Sequence, residues 1–150
     1  MDRSGGCMCG AVRFEARDVP VVLGACHCEL CRRWTGSALL GVSIPEERVT
    51  WTGEEHIKRY ASTSFAERAN CAVCGSPLFM RNTIEGTAWS GEYDIPLGMF
   101  DHPDGFDLTH EIWIEEKPDC FSYAGRADRR RLTRADVIQE APFVAEGDPS

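Results

Sequence analysis

The chain has 150 residues, of which 43% are hydrophobic and 27% charged, a composition typical of a single globular domain that buries roughly 70% of its unfolded surface. Its net charge of -8 disfavours nucleic acid as a partner, because phosphate backbones would be repelled. No apolar run approaches the roughly 20 residues of a membrane span, and the opening MDRSGGCMCG lacks the apolar core of a signal peptide. We therefore expect a cytoplasmic protein that binds neither membranes nor nucleic acid.

Short apolar stretches alternate with Gly, Pro, Asp and Asn, a spacing typical of an antiparallel, mostly β fold. In chain order the predicted strands are AVRFEA (11–16), ALLGVSI (38–44), RVTWTG (48–53), HIKRYAS (56–62), SPLFMR (76–81), TAWSGEY (87–93) and HEIWIEE (110–116). A short helix is predicted to begin in CELCRRWTG. A second is predicted in TRADVIQEA, where Thr133 caps the helix and Asp136 completes a capping box. The final APFVAEGDPS indicates a frayed tail.

The eight cysteines suggest metal ligation, because thiols in a reducing compartment rarely form a disulfide framework. By spacing they form a C-x-C pair (Cys7 and Cys9), a C-x-C-x-x-C trio (Cys26, Cys28 and Cys31), a C-x-x-C pair (Cys71 and Cys74) and the single Cys120. A tetrahedral zinc with bonds of about 2.3 Å needs sulfurs less than about 4 Å apart, and both kinds of pair can provide this. Each pair is therefore half of a zinc site.

The two pairs are each followed by glycine, as CMCG and CAVCG. Glycine reaches positive φ without penalty, so the chain can curl and point backbone N–H groups at the thiolates. We predict that Cys7, Cys9, Cys71 and Cys74 form one closed, structural zinc site.

The trio has no second pair to complete it, so its zinc would hold three thiolates and one exchangeable position, which is typical of a catalytic zinc. Two alternatives stay open, in which Cys120 or His27 supplies a fourth ligand and the site is structural. His27 lies between two ligands, so its ring would point away from the metal in an extended segment. Cys120 would need a long-range fold-back, and a buried inert thiol is the other interpretation of it.

The motifs GGCMCGAVRF, ACHCELCRRWTGS, NCAVCGSPLF, LGMFDHPD and HEIWIEEKPD, in this order, resemble the glutathione-dependent formaldehyde-activating enzyme family, which includes the domain of centromere protein V. The resemblance spans about Gly5 to Phe121. It implies a β-tent fold of antiparallel sheets with two zinc ions, one structural on the two pairs and one catalytic on the trio. We accordingly assign 1–125 to a zinc-binding domain and 126–150 to a C-terminal extension of that domain, with a short helix and the frayed tail.

The activity for which that family is named is the addition of formaldehyde to the thiol of glutathione, which gives S-hydroxymethylglutathione and is formally a carbon-sulfur lyase reaction in reverse. Zinc serves such an addition by lowering the pKa of a bound thiol or by polarising the aldehyde oxygen. A zinc with three anionic sulfurs is a weak Lewis acid, so delivery of the thiolate is the favoured role.

Five further residues are candidates for the site of that reaction. Arg32 and Arg33 follow the trio, and an arginine fork there could hold a carboxylate of a glutathione-like ligand; solvent exposure or a salt bridge to one of the 24 acidic residues is the other interpretation. Glu29 could shuttle a proton or be a plain surface residue. His110 matches a histidine in the family's strand motif, and a structural histidine is the other interpretation. Trp34 is a candidate pocket wall.

The sequence therefore predicts a zinc-dependent carbon-sulfur lyase acting on a small thiol adduct, with glutathione as the implied partner. The alternative is a zinc-stabilised binding or chaperone-like module without chemistry.

Overall fold

The computed structural model describes residues 1–147, which form eleven strands and three short helices. The strands are β1 (Arg3–Gly6), β2 (Arg13–Ala16), β3 (Val22–Cys26), β4 (Leu39–Pro45), β5 (Val49–Thr52), β6 (Ile57–Ala61), β7 (Ala66–Cys71), β8 (Pro77–Asn82), β9 (Glu92–Pro96), β10 (Asp107–Ile112) and β11 (Arg130–Leu132). The helices are α1 (Glu29–Thr35), α2 (Arg134–Glu140) and α3 (Val144–Gly147). None of the helices in residues 1–147 is long and apolar enough to cross a membrane.

The strands form two sheets. A small sheet has the order β1-β2-β5, and a large one has the order β11-β10-β3-β4-β9-β8-β7-β6. The predicted mostly β fold is confirmed, but the large sheet is mixed, because β10 runs parallel to both β3 and β11. A parallel pair needs a long crossover rather than a hairpin, and residues 113–129 supply one between β10 and β11.

The main core lies between the two sheets and is rich in aromatic rings. Phe14 and Trp51 come from the small sheet, and their ring centroids are 5.4 Å apart. Trp51 in turn lies 5.2 Å from Phe79 and 5.7 Å from Tyr93 of the large sheet. These contacts fix the small sheet against one face of the large sheet.

A second core covers the other face of the large sheet, where the helices pack. It contains Leu39, Trp113, Val137, Val144 and the trio of cysteines. Along β4 successive side chains alternate between the two faces. Val42 and Ile44 point into the main core, so Gly41 and Ser43 lie on the same face as the trio.

The helix predicted in TRADVIQEA is confirmed as α2, with its capping box. Thr133 Oγ1 accepts a hydrogen bond from the Asp136 amide at 3.2 Å, and the Asp136 carboxylate accepts one from the Thr133 amide at 2.8 Å. The tail predicted over 141–150 is partly wrong, because α3 packs Val144 into the second core. Residues 148–150 lie outside the described part of the chain.

Two predicted strands have the wrong bounds. TAWSGEY is mostly a turn, and β9 begins only at Glu92, because Trp89 and Gly91 have positive φ. The strand predicted in HEIWIEE ends at Ile112, because Trp113 also has positive φ. A 3-10 turn follows it. Strands β1, β3, β7 and β11 were not among those predicted. β7 reads AERANC, whose alanines and polar residues have weak β propensity, and its pairing with β6 and β8 overrides that preference.

Candidate metal centres and adjoining cavity

The two cysteine pairs converge on one cluster. The Sγ atoms of Cys7, Cys9, Cys71 and Cys74 lie within 4.8 Å of one another. Cys7 Sγ is 3.6 Å from Cys9 Sγ, which is 3.8 Å from Cys71 Sγ. A tetrahedron with bonds of about 2.3 Å has edges of about 3.8 Å, so the four-sulfur cluster fits zinc.

Each pair is shaped by a tight turn that ends in glycine. Gly10 has a φ of 79° and donates its N–H to the Cys7 carbonyl at 3.1 Å. Gly75 has a φ of 80° and donates to the Cys71 carbonyl at 2.8 Å. Because the first turn belongs to the small sheet and the second to the large one, the four-sulfur cluster joins the two sheets.

The trio forms a separate, buried three-sulfur cluster. Cys26 ends β3, Cys28 caps the N-terminus of α1 and Cys31 lies in the first turn of that helix. Their Sγ atoms lie within 4.8 Å of one another, and among residues 1–147 no fourth His, Cys, Asp or Glu joins the group. Hydrogen bonding within the cluster, chiefly between Cys26 and Cys28, lowers the pKa of Cys28 and raises that of Cys26. A buried thiolate among thiols fits a soft cation such as zinc.

Neither alternative fourth ligand belongs to the three-sulfur cluster. Cys120 is exposed and lies in the crossover after β10, so it is not a buried thiol either. His27 is fully buried, and its Nε2 hydrogen-bonds Glu111 Oε1 at 2.9 Å while its ring stacks on Tyr123.

Arg68 supplies a positive charge to the three-sulfur cluster. It is buried, its Nη2 donates to Cys31 Sγ at 3.4 Å, and its guanidinium lies 5.7 Å from the centre of the Trp34 ring. Three thiolates and one Zn²⁺ carry a net charge of -1, which the guanidinium offsets. Sequence reasoning missed this residue, because β7 was not predicted and a lone arginine in it gives no signal.

A cavity of about 290 Å³ opens beside the three-sulfur cluster. Its walls include all three cysteines, Arg68 and the apolar side chains Met80 and Trp89. The segment from β11 onward closes it with Leu132, Val137, Glu140 and Val144. The cluster therefore faces a chamber large enough for a small organic molecule.

Of the other predicted site residues, His110 lines this cavity. Glu29 and Arg33 pair with each other at the surface, with Oε1 and Nη2 2.8 Å apart. Arg32 donates its Nε to the His27 carbonyl at 3.2 Å, and Trp34 donates its Nε1 to Asn70 Oδ1 at 3.0 Å. These four side chains lie on α1 outside the cavity walls.

Asp94 also lines the cavity and was missed from the sequence. In β9 the buried Tyr93 and Ile95 point into the main core, so the alternation of the strand places Asp94 on the cavity face. That pattern would have indicated the residue had β9 been given its correct bounds.

Residues 2–116 match the family model described as glutathione-dependent formaldehyde-activating enzyme. The chain belongs to this family. It is 31% identical over 122 residues to an uncharacterized lyase of Schizosaccharomyces pombe, covering 81% of this chain and 85% of that protein. It is 32% identical over 84 residues to a putative glutathione-dependent formaldehyde-activating enzyme of Halomonas elongata, covering 51% of this chain and 54% of that protein.

A crystal structure of a Rhodobacter sphaeroides protein has the same fold, with a TM-score of 0.55 at 21% identity over 65% of this chain and 87% of that one. Residues 117–147 lie beyond the part that matches the glutathione-dependent formaldehyde-activating family, yet they form one wall of the cavity. This member therefore completes its candidate site with a segment outside the family match.

Proposed function

We propose that the protein is a zinc-dependent carbon-sulfur lyase that catalyses the reversible addition of a small thiol to formaldehyde. The thiol is glutathione, and the product is its S-hydroxymethyl adduct. The observation that carries the proposal is the three-sulfur cluster, which lacks a fourth protein ligand within residues 1–147 and opens into a cavity of about 290 Å³. Family membership and relatives named as a lyase and a formaldehyde-activating enzyme support the same reaction.

The two clusters have different roles in this proposal. Cys7, Cys9, Cys71 and Cys74 hold a structural zinc between the sheets, and Cys26, Cys28 and Cys31 hold the catalytic zinc. When bound at the three-sulfur cluster, zinc supplies an electrophilic position that stabilises the substrate thiol as its thiolate near neutral pH.

The chain's own residues provide the surroundings of the reacting thiol. Arg68 offsets the negative charge of the three-sulfur cluster, so a further anionic sulfur can approach it. Met80, Trp89 and Val137 line the cavity and exclude water from the aldehyde, which is otherwise hydrated.

His110 is the proposed acceptor of the thiol proton. Burial lowers the pKa of His110, so the imidazole is neutral at physiological pH. Its Nδ1 lies 2.9 Å from Thr109 Oγ1, a contact that fixes the ring in the cavity. A neutral, positioned imidazole can take a proton from a thiol and return it.

Exchange spectroscopy by NMR on glutathione and formaldehyde at equilibrium tests the proposal. We expect exchange between free and S-hydroxymethyl glutathione to accelerate with the zinc-loaded protein and not with a Cys28→Ser variant. Equal exchange rates with and without the zinc-loaded protein would contradict the lyase and favour a zinc-stabilised module without chemistry.

A further inference from the structure

Two glycines face each other across neighbouring strands beneath the cavity-lining side chains His110 and Asp94, and we call this pair the glycine floor. Gly24 of β3 pairs directly with Gly41 of β4, and both strands lie in the middle of the large sheet. Neither glycine has positive φ, so the backbone at these positions would accept any residue. The side chains that lie above the two positions, rather than the backbone, therefore explain why both residues are glycine.

Two side chains from the flanking strands occupy that space. A Cβ atom added to Gly24 would lie 2.5 Å from His110 Nε2, and one added to Gly41 would lie 2.3 Å from Asp94 Oδ1. Both distances are too short for non-bonded atoms. His110 reaches in from β10 on one side, where a β-bulge shifts the register between Leu108 and His110, and Asp94 reaches in from β9 on the other. The two glycines thus allow an imidazole and a carboxyl to lie over the sheet beside the three-sulfur cluster.

The surroundings of Asp94 keep a proton on it unusually well. Its carboxyl accepts a hydrogen bond from Ser43 of β4, and Glu92 lies two residues away on its own strand. Arg68 of β7 is the cation that acts on it, while Arg81 of β8 is paired with Glu46 and Glu67. His110 lines the same cavity from β10, and the charged groups that act on it are Arg130 and Glu140. Burial, followed by the charge of Glu92, raises the pKa of Asp94 to about 6, and the Ser43 hydrogen bond and Arg68 oppose the shift without cancelling it.

We infer that Asp94 is a catalytic acid-base residue that works with His110 across the glycine floor, an inference that rests on the proposed function. During addition, His110 takes the proton of the substrate thiol and the sulfur bonds to the formaldehyde carbon. The π electrons of the carbonyl move to its oxygen, which takes a proton from the Asp94 carboxyl. The imidazolium then returns its proton to the Asp94 carboxylate, so both residues end as they began. The product is the S-hydroxymethyl adduct of the thiol. Cleavage is the same sequence in reverse.

This mechanism predicts a particular pH profile, because the pair carries one proton at the start of either direction. Protonating both groups or neither stops the reaction, so kcat/KM should pass through a maximum below neutral pH and fall on both sides. Asp94→Asn is isosteric but cannot exchange the proton. We expect it to lower kcat/KM by about 10²-fold or more and to remove one limb of the profile.

The experiment measures exchange of glutathione with formaldehyde from pH 5 to 8 for the zinc-loaded parent, Asp94→Asn, Gly41→Ala and a control, Asp104→Asn, at an exposed turn. Gly41→Ala should also lower kcat/KM, because the new methyl displaces a carboxyl that remains ionisable. All four proteins should bind the same amount of zinc. Suppose that the parent accelerates exchange, and that Asp94→Asn keeps both limbs of the pH profile and a kcat/KM within about threefold of the parent value. The inference about Asp94 then fails and the proposed function stands. If the parent does not accelerate exchange, both fail.

Discussion

His27 and Glu111 are joined by a buried hydrogen bond of 2.9 Å between Nε2 and Oε1, although 84 residues separate them in the sequence. The other carboxylate oxygen, Oε2, lies 3.3 Å from Arg129 Nη1 and 3.6 Å from Arg131 Nε. Because His27 stands between Cys26 and Cys28 of the three-sulfur cluster, this network connects the loop that carries the cluster to the segment that closes the cavity.

Glu111→Gln should destabilise the folded chain by about 3 kcal/mol, because it leaves the buried Arg129 guanidinium without an anionic partner. Urea unfolding of the zinc-loaded protein measures this free energy. Glu54→Gln, at an exposed position, is the matched control and should change the free energy of unfolding by less than about 0.5 kcal/mol. Arg129 also donates hydrogen bonds to the backbone carbonyls of Leu108, Tyr123 and Ala124, and a Glu111→Gln variant as stable as the control would show that these bonds alone satisfy it.

The C-x-C and C-x-x-C groupings within the two cysteine clusters could be predicted from the sequence because their geometry is local. A C-x-C or C-x-x-C spacing brings two sulfurs together within one turn, so Cys26, Cys28 and Cys31 could be grouped without knowledge of the fold. Arg68 and Asp94 could not be found this way. Each reaches the cavity from a strand whose partners are distant in sequence, with Arg68 lying 37 residues from the cysteine it contacts. Their roles depend on strand pairing and register, which short polar strands such as AERANC do not reveal.

The two clusters should respond differently to loss of a ligand. Cys28→Ser should lower the zinc content from two per chain to one and leave the far-ultraviolet circular dichroism unchanged, because the three-sulfur cluster lies within one loop and helix. Cys74→Ser should unfold or aggregate, because the four-sulfur cluster joins the two sheets. Elemental analysis and circular dichroism of both variants measure these outcomes.

Cys120→Ser is the control for these two variants, since Cys120 is exposed and belongs to neither cluster. It should keep two zinc ions per chain and the parent stability. Equal collapse of Cys28→Ser and Cys74→Ser would mean that the three-sulfur cluster is structural too.

Arg68→Met should weaken zinc binding at the three-sulfur cluster by about 10- to 100-fold, because it removes the charge and the hydrogen bond that Arg68 Nη2 gives to Cys31 Sγ. Competition with a chelator of known affinity measures the change. Zinc at the four-sulfur cluster should be unaffected in the same titration. Arg17→Met, at an exposed position, is the control, and equal chelator resistance in both variants would refute the role assigned to Arg68.

Asp94→Asn should stabilise the protein at neutral pH while lowering its proposed activity. The folded chain raises the pKa of this carboxyl from 3.8 to about 6, so the folded state holds the proton more tightly than the unfolded state does. The contribution of Asp94 to stability is therefore greatest below pH 3.8 and is lost as the pH rises through about 6. The loss at pH 7.5 amounts to about 3 kcal/mol at most. A neutral asparagine avoids this cost.

Urea unfolding of zinc-loaded parent and Asp94→Asn proteins at pH 7.5 and pH 5 measures this effect. The variant should be the more stable at pH 7.5, and its advantage should fall to about half at pH 5, where the parent carboxyl regains its proton. Asp104→Asn should show no such pH dependence. If Asp94→Asn is instead less stable than the parent at pH 7.5, Arg68 holds the carboxylate in its charged form, and Asp94 has no proton to give at that pH. A variant that gains stability and loses rate would identify Asp94 as a group kept at the cavity floor for chemistry rather than for folding.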